Sequence, residues 1–174
     1  MTIIFGVTGW KNSGKTTLVA NLVREFTARG LKVGTIKHAH HHFDIDHAGT
    51  DSWKHREAGA CEVAIVSGSR WALMHELDGK TEPSLTEVVA RMSPADIIII
   101  EGYKREGHLK IETRRKGSLK SEALSDSDPN IIAIASDYEI QASNIPVFDQ
   151  TEIAAIANFL LTHRSLARET ADAT

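Results

Sequence analysis

Short apolar runs alternate along this chain with amphipathic segments, and the two spacings separate strands from helices. Residues 2–8 are largely β-branched and apolar and stop at Gly9, which predicts a buried strand. From 15 to 28, KTTLVANLVREFTA, the residues Leu18, Leu22, Val23 and Phe26 share one helical face, and Gly30 ends that helix. A strand is predicted over 31–37. A helix follows over 50–59, with Thr50 or Asp51 as its N-cap. Strands at 62–67 and 70–76, joined through Ser67-Gly68-Ser69, read as a hairpin. Ser84 with Glu87 three residues on forms a capping box for a helix over 85–92, which Pro94 closes. Ile97 to Ile100 is continuous and apolar, as in a strand buried on both faces of a parallel sheet. Further strands are expected at 108–115, 131–135 and 145–148, a Ser- and Asp-rich mobile loop at 117–129, and a closing helix at 151–163.

Strands alternating with helices in this order predict an α/β fold: a three-layer arrangement on a mostly parallel sheet, with the 62–76 hairpin as an antiparallel addition. At 174 residues the expectation is one domain over 1–164 and a frayed tail over 165–174.

Charge narrows the partners. Twenty Lys+Arg against 23 Asp+Glu give a net charge of −3, which argues against a general nucleic-acid binder. The longest apolar stretches, Ile97 to Ile100 and Ile153 to Leu161, are far shorter than the roughly 18 residues of a membrane helix. The opening TIIFGVTG has no basic n-region or cleavage site, and the single Cys61 can form no intrachain disulfide. Together these lead to the expectation of a cytoplasmic protein. Cys61 itself reads as a small buried residue.

The chemistry is concentrated in residues 9–16, Gly9-Trp10-Lys11-Asn12-Ser13-Gly14-Lys15-Thr16, which fit G-x-x-x-x-G-K-[ST] without a gap. Chance would produce such a match in roughly 1% or fewer of chains this long, and here a buried strand precedes it and an amphipathic helix follows. The glycines let backbone N–H groups wrap a phosphate, the helix N-terminus adds its dipole, and Thr17 continues the loop into the helix. Lys15 can place a point charge on the β and γ phosphates, and the Thr16 hydroxyl can ligate Mg²⁺. A nucleoside triphosphate is therefore the expected ligand. Lys11 and Asn12 either touch phosphate or are solvated loop positions.

A phosphate-bound Mg²⁺ needs an acidic partner on a neighbouring strand, and Asp96 and Glu101 bracket the Ile97 to Ile100 run. Ligands of parallel sheets sit beyond the carboxyl ends of the strands. Glu101 is at that end and is the choice for the metal or an attacking water, while Asp96 starts the strand on the opposite side. Gly102 permits close backbone approach, and Lys104 can reach an anion.

Several segments together resemble one family, the molybdopterin-guanine dinucleotide biosynthesis proteins of the MobB type. They are GWKNSGKTTL at 9–18, IKHAHHHFDIDHAGTDSWKHREAGA at 36–60, Arg70 to Met74, Ile99 to Lys104 and Ile132 to Asp137. The resemblance implies a P-loop NTPase fold and a GTP-binding homodimer with weak GTPase activity. It implies an adaptor role beside the partner GMP-transferase that attaches GMP to molybdopterin, with the pterin itself as a further ligand. Asp137 would take the place of a guanine-reading acid, since a carboxylate accepts hydrogen bonds from guanine that adenine does not offer. The usual N-K-x-D motif is absent, and a turn or cap acid is the competing reading.

Nine histidines include His38, His40, His41 and His42 in one stretch, followed by Asp44 and Asp46. These histidines read as contacts to a phosphate or to the pterin's phosphate, as ligands of a borderline metal, or as a solvated loop. Asp51 and Ser52 either serve a metal site or cap a helix. Phe43, Trp53 and Trp71 read as core or dimer-surface anchors, and Arg114, Arg115 and Lys116 as a solvated edge-strand run. Two other functions fit parts of the pattern. One is a small-molecule P-loop kinase, with Arg114 or Arg115 assisting and an acid near 44–51 as base. The other is a metal-delivery GTPase that loads its ion at the histidines.

Overall fold

The computed structural model describes residues 2–39, 43, 45–79, 81–118, 122–141 and 143–163. In chain order the elements are β1 (Ile3–Thr8), α1 (Lys15–Ala28), β2 (Val33–Lys37), α2 (Asp51–Glu57), β3 (Glu62–Val66), β4 (Trp71–His75), α3 (Leu85–Ala90), β5 (Ile97–Glu101), β6 (Lys110–Arg114), β7 (Ile131–Ser136), β8 (Val147–Asp149) and α4 (Ile153–Thr162). Every strand and helix read from the hydrophobic pattern is present. The ends differ by at most two residues, because frayed turns lack the hydrogen bonds that define an element. The fold is the expected α/β class: six strands in the order β2-β5-β1-β6-β7-β8, all paired in parallel, and a separate antiparallel pair, β3-β4. The described residues form two compact units, 1–38 with 89–174, and 39–88.

In the first unit, burial follows position in the sheet. Central β1 and β5 are buried along their whole length, whereas the outer strands β2 and β8 are half exposed. Alternate residues Ile3, Phe5 and Val7, with Ile97, Ile99, Ile111, Ala133 and Ala135, form one core with Leu18, Leu22 and Phe26 of α1 and Ile156 and Leu160 of α4. Period 2 in the strands thus meets period 3.6 in the helices. Fully burying each of the large side chains contributes roughly 1.5–3 kcal/mol.

The opposite parity carries buried polar groups that hydropathy does not reveal. Lys110, 1% exposed, donates to the Glu106 carbonyl and to Asp128 Oδ2 at 2.9 Å. Beside it, both ring nitrogens of buried His108 lack hydrogen-bond partners among the described residues. Burial, and then the Lys110 charge, push the imidazole down to about 4, against a smaller upward pull from Asp128. The unfolded chain takes up this proton near 6.5 while the folded one resists until about 4, so stability falls as pH drops through that window. The loss attributable to His108 is about 3 kcal/mol. We expect His108→Asn to flatten the stability profile between those pH values in urea titrations, and an unchanged slope would contradict this.

In the second unit, α2 is capped by Thr50, whose Oγ1 accepts from the Trp53 N–H. Asp46 organises the segment before it, accepting from Thr50 and Ser52 hydroxyls at 2.8 Å each and lying 3.5 Å from Arg56 Nε. Burial pushes the Asp46 carboxyl up, but hydrogen bonds from Ser52, Thr50 and the His47 N–H, with the Arg56 charge, hold it below the usual carboxylate range. Ser84 and Glu87 form the expected capping box, Glu87 accepting from the Ser84 N–H at 2.8 Å and donating its own N–H to Ser84 Oγ.

Three expectations are corrected. Cys61 is exposed, because it precedes β3 and contributes only its carbonyl, which accepts from the Glu76 N–H at 3.0 Å. Trp71 and Phe43 are exposed, 68% and 75%, which removes the core alternative for these two and leaves the dimer-surface one. β6 is an interior strand between β1 and β7, so Arg114 is not on a sheet edge. It is mostly buried and pairs with Glu112 at 2.9 Å.

Candidate nucleotide site

The loop between β1 and α1 leaves the sheet at the carboxyl end of its central region, where β1 is flanked by β5 and β6. Gly9 has φ 146°, and a Cβ there would lie 2.5 Å from both Ser13 Oγ and Thr113 Oγ1. No side chain fits that position. Ser13 Oγ and Thr113 Oγ1 are buried together at 2.7 Å, and Thr113 Oγ1 also donates to the Thr8 carbonyl. The loop is thereby fastened to β6. Asn12 sits at φ 65° and Gly14, which caps α1, at φ 96°. No side chain caps α1 and no acid lies in its first turn, so its N-terminal N–H groups are available to an anion. Lys11, Asn12 and Thr17 are exposed.

Lys15 donates to the Trp10 carbonyl at 2.7 Å. Burial and the Lys104 and Lys37 charges lower its pKa, while Glu101 opposes them. A bound phosphate would reverse that electrostatic cost. The Thr16 hydroxyl donates to Glu101 Oε1 at 2.9 Å, which brings together the two residues assigned to the metal from sequence. In-register pairing sets Val7, Lys37 and Glu101 side by side, and Lys37 Nζ lies 3.9 Å from Glu101 Oε1. Among the described residues there is no group of three or more His, Cys, Asp or Glu that could hold a metal by itself. A hydroxyl and one carboxylate do fit Mg²⁺, which completes its octahedron from phosphate oxygens and water.

After Glu101 the chain turns sharply. Tyr103 has φ 45°, and its ring stacks on His38 with centroids 4.3 Å apart. A Cβ on Gly102 would come within 2.9 Å of the His38 Cβ. His38 therefore packs against the turn that follows Glu101. His40, His41, His42 and Asp44 lie outside the described residues. Asp51 belongs to the second unit, in the first turn of α2, with its carboxylate 3.3 Å from Lys54 Nζ. Asp96 accepts from the Lys32 N–H at 2.7 Å, at the end of β5 away from the loop.

On the other side of the loop is a cavity of about 220 Å³, lined by Trp10, Thr113, Arg115, Gly117 and Tyr138 among others. Trp10 Nε1 donates to the Glu122 carbonyl at 2.7 Å, and Lys104 Nζ stands 4.1 Å from the indole centroid. Glu112 Oε1 and Oε2 accept from the Leu124 and Ser125 N–H groups, which pins part of the segment read as a mobile loop. Asp137 accepts from the Lys116 N–H at 2.8 Å and lies 3.5 Å from Arg115 Nε. Its carboxylate holds the turn at 115–117 that borders the cavity.

Two contributors escaped the sequence reading. Lys37 could have been found from its place at the end of the second strand, level with Glu101. Gln150 carries no local signal. Its amide nitrogen donates to the carbonyls of Ser13 at 3.0 Å and Arg114 at 2.9 Å, tying the loop to β6. Gln150→Leu removes both bonds; the Arg114 carbonyl keeps the Asp137 N–H at 3.3 Å, but the Ser13 carbonyl loses its side-chain donor, so we expect a stability loss of about 1–3 kcal/mol in urea unfolding together with weaker nucleotide binding. Wild-type values for both would contradict this role.

Residues 4–137 match the model of the family described as MobB, molybdopterin guanine dinucleotide synthesis protein B. The chain is 36% identical over 154 residues to the molybdopterin-guanine dinucleotide biosynthesis adapter protein of Escherichia coli K12, covering 87% of each chain. It is 34% identical over 160 residues to the Haemophilus influenzae protein of the same name, covering 90% of this chain and 86% of that one. Among solved structures, the MobB homolog from Bacillus stearothermophilus superposes with a TM-score of 0.67 at 27% identity, covering 91% of this chain and 98% of the other. The chain belongs to the molybdopterin guanine dinucleotide synthesis protein B family.

Proposed function

We propose that this protein is a guanine-nucleotide-binding adaptor in the assembly of the molybdopterin guanine dinucleotide form of the molybdenum cofactor. The observation that carries the reading is the Gly9–Thr16 loop with the Thr16 hydroxyl 2.9 Å from Glu101, in a chain whose relatives are named as adapters of this pathway. Residues Gly9 to Thr17 would bind the phosphates of GTP, with Lys15 supplying the charge. Thr16 and Glu101 would hold Mg²⁺, which neutralises phosphate charge when bound. The base would enter the cavity between Trp10 and Tyr138, where the Asp137-held turn gives the guanine preference. Hydrolysis would be weak, because among the described residues no side chain besides Glu101 stands out with a water-orienting role at the loop.

The adaptor reading includes a homodimer and a partner GMP-transferase, with molybdopterin as a further ligand. Support for self-association comes from the β3-β4 pair. Val66, Trp71 and Leu73 share the face opposite Val63 and Met74 and are 74%, 68% and 50% exposed, an apolar surface of the kind found at interfaces. Among the described residues no helix is long and apolar enough to cross a membrane, in keeping with a cytoplasmic adaptor.

The test is nucleotide choice. In calorimetric titrations, Asp137→Ala is expected to lose most of the preference for GTP over ATP while still binding triphosphate. A variant that keeps the wild-type preference contradicts the role given to this turn.

A further inference from the structure

The sheet face opposite α1 and α4 carries a second concavity that the nucleotide reading leaves unused. Thr8, the last residue of β1, lies on that face and is 1% exposed. Its hydroxyl is buried without a hydrogen-bond partner among the described residues, a costly state unless a ligand or water completes it. Thr8 lines a cavity of about 340 Å³ together with Lys104, Arg105, Leu124, Ser127, Asp128 and Ile131. That volume is at the lower end of the range for small-molecule sites.

The lining is chemically divided. Lys104 and Arg105 supply two cations, and Arg105 is exposed and has no ion-pair partner among the described residues. Ser127 adds a hydroxyl. The one acid, Asp128, is held by Lys110 at 2.9 Å and by the Asn130 N–H at 3.0 Å, so a buried ammonium offsets its charge. Leu124 and Ile131 provide the apolar surface. Two cations with hydroxyls select a phosphate over a neutral ligand, and the leucine and isoleucine favour one that carries an apolar or aromatic body.

We propose that this cavity binds a small phosphomonoester beside the nucleotide, its phosphate on Lys104 and Arg105, an acceptor atom on the Thr8 hydroxyl and its body between Leu124 and Ile131. Lys104, which also stands over Trp10 of the nucleotide loop, connects the two sites.

The experiment is a titration of the ¹⁵N-labelled protein with phenyl phosphate and with inorganic phosphate, alone and in the presence of GDP, followed by amide shifts. Phenyl phosphate is expected to shift Arg105, Ser127 and Ile131 in a saturable way whether or not GDP is present, and to bind several-fold more tightly than inorganic phosphate. Arg105→Glu, at an exposed position outside the nucleotide loop, should weaken phenyl phosphate at least tenfold and leave the GDP-induced shifts of residues 9–17 unchanged. Thr8→Val, which keeps the shape and removes the hydroxyl, should weaken it several-fold. Shifts confined to residues 9–17, equal affinity for the two phosphates, or unaltered binding in Arg105→Glu would overturn the proposal. Because the titration without GDP reads the cavity by itself, a failure of nucleotide binding stays distinguishable from a failure of this site.

Discussion

Lys15→Ala is expected to abolish measurable triphosphate binding, a loss of roughly 100-fold or more, or about 2.7 kcal/mol. The cause is electrostatic. Lys15 sits partly buried at the start of α1, and that burial first, then the Lys104 and Lys37 charges against the opposing pull of Glu101, hold its pKa below the ordinary lysine value. The ammonium is thus costly to keep without a phosphate, and a triphosphate relieves that cost as well as gaining a charge-assisted hydrogen bond. A pH dependence follows with a defined sign. As pH rises through the lowered pKa, Lys15 loses its proton and affinity falls, whereas Lys15→Ala should show no such decline. Fluorescence or calorimetric titrations across alkaline pH measure both. Retention of wild-type affinity by Lys15→Ala would remove the loop from the binding site.

Glu101→Gln gives the second large effect, on the metal and not on the phosphates directly. In the folded chain Glu101 is 9% exposed and accepts a hydrogen bond from the Thr16 hydroxyl at 2.9 Å. Without Mg²⁺ its negative charge opposes a triphosphate, and with Mg²⁺ it helps retain the cation. Neutralising it should therefore reduce the Mg²⁺-dependent gain in GTP affinity about tenfold or more, about 1.4 kcal/mol, while Mg²⁺-free affinity stays level or rises. Titrations with and without Mg²⁺ separate the two terms. An equal loss in both conditions would place Glu101 on the phosphates or in the fold and not at a metal.

Both residues could be read from the chain because each lies where a local pattern meets a topological rule. The loop needs glycine at fixed offsets between a buried strand and an amphipathic helix, and Glu101 ends an unbroken apolar run at the sheet edge that ligands use. The same logic found β1, β5 and α1, whose burial follows period 2 and period 3.6. What pattern could not find depends on long-range partners. Gln150 reaches Ser13 across 137 positions of sequence, and Thr113 anchors the loop across 100. Lys110 opens an interior strand, and His108 is buried just before it, because Asp128 and Gly6 accommodate them, which no window around 108–115 reveals. Cys61 differs for the opposite reason, since residue type favours burial and its place at a strand entrance leaves it exposed.

One guanine nucleotide is expected to bind each chain at residues 9–17 in a Mg²⁺-dependent way. Calorimetry on the unmodified protein tests it most directly, titrating GTP and then ATP with and without Mg²⁺. The prediction is one GTP site per chain, tighter with Mg²⁺ and tighter than ATP. Equal affinity for the two nucleotides, or no triphosphate binding at all, would contradict it.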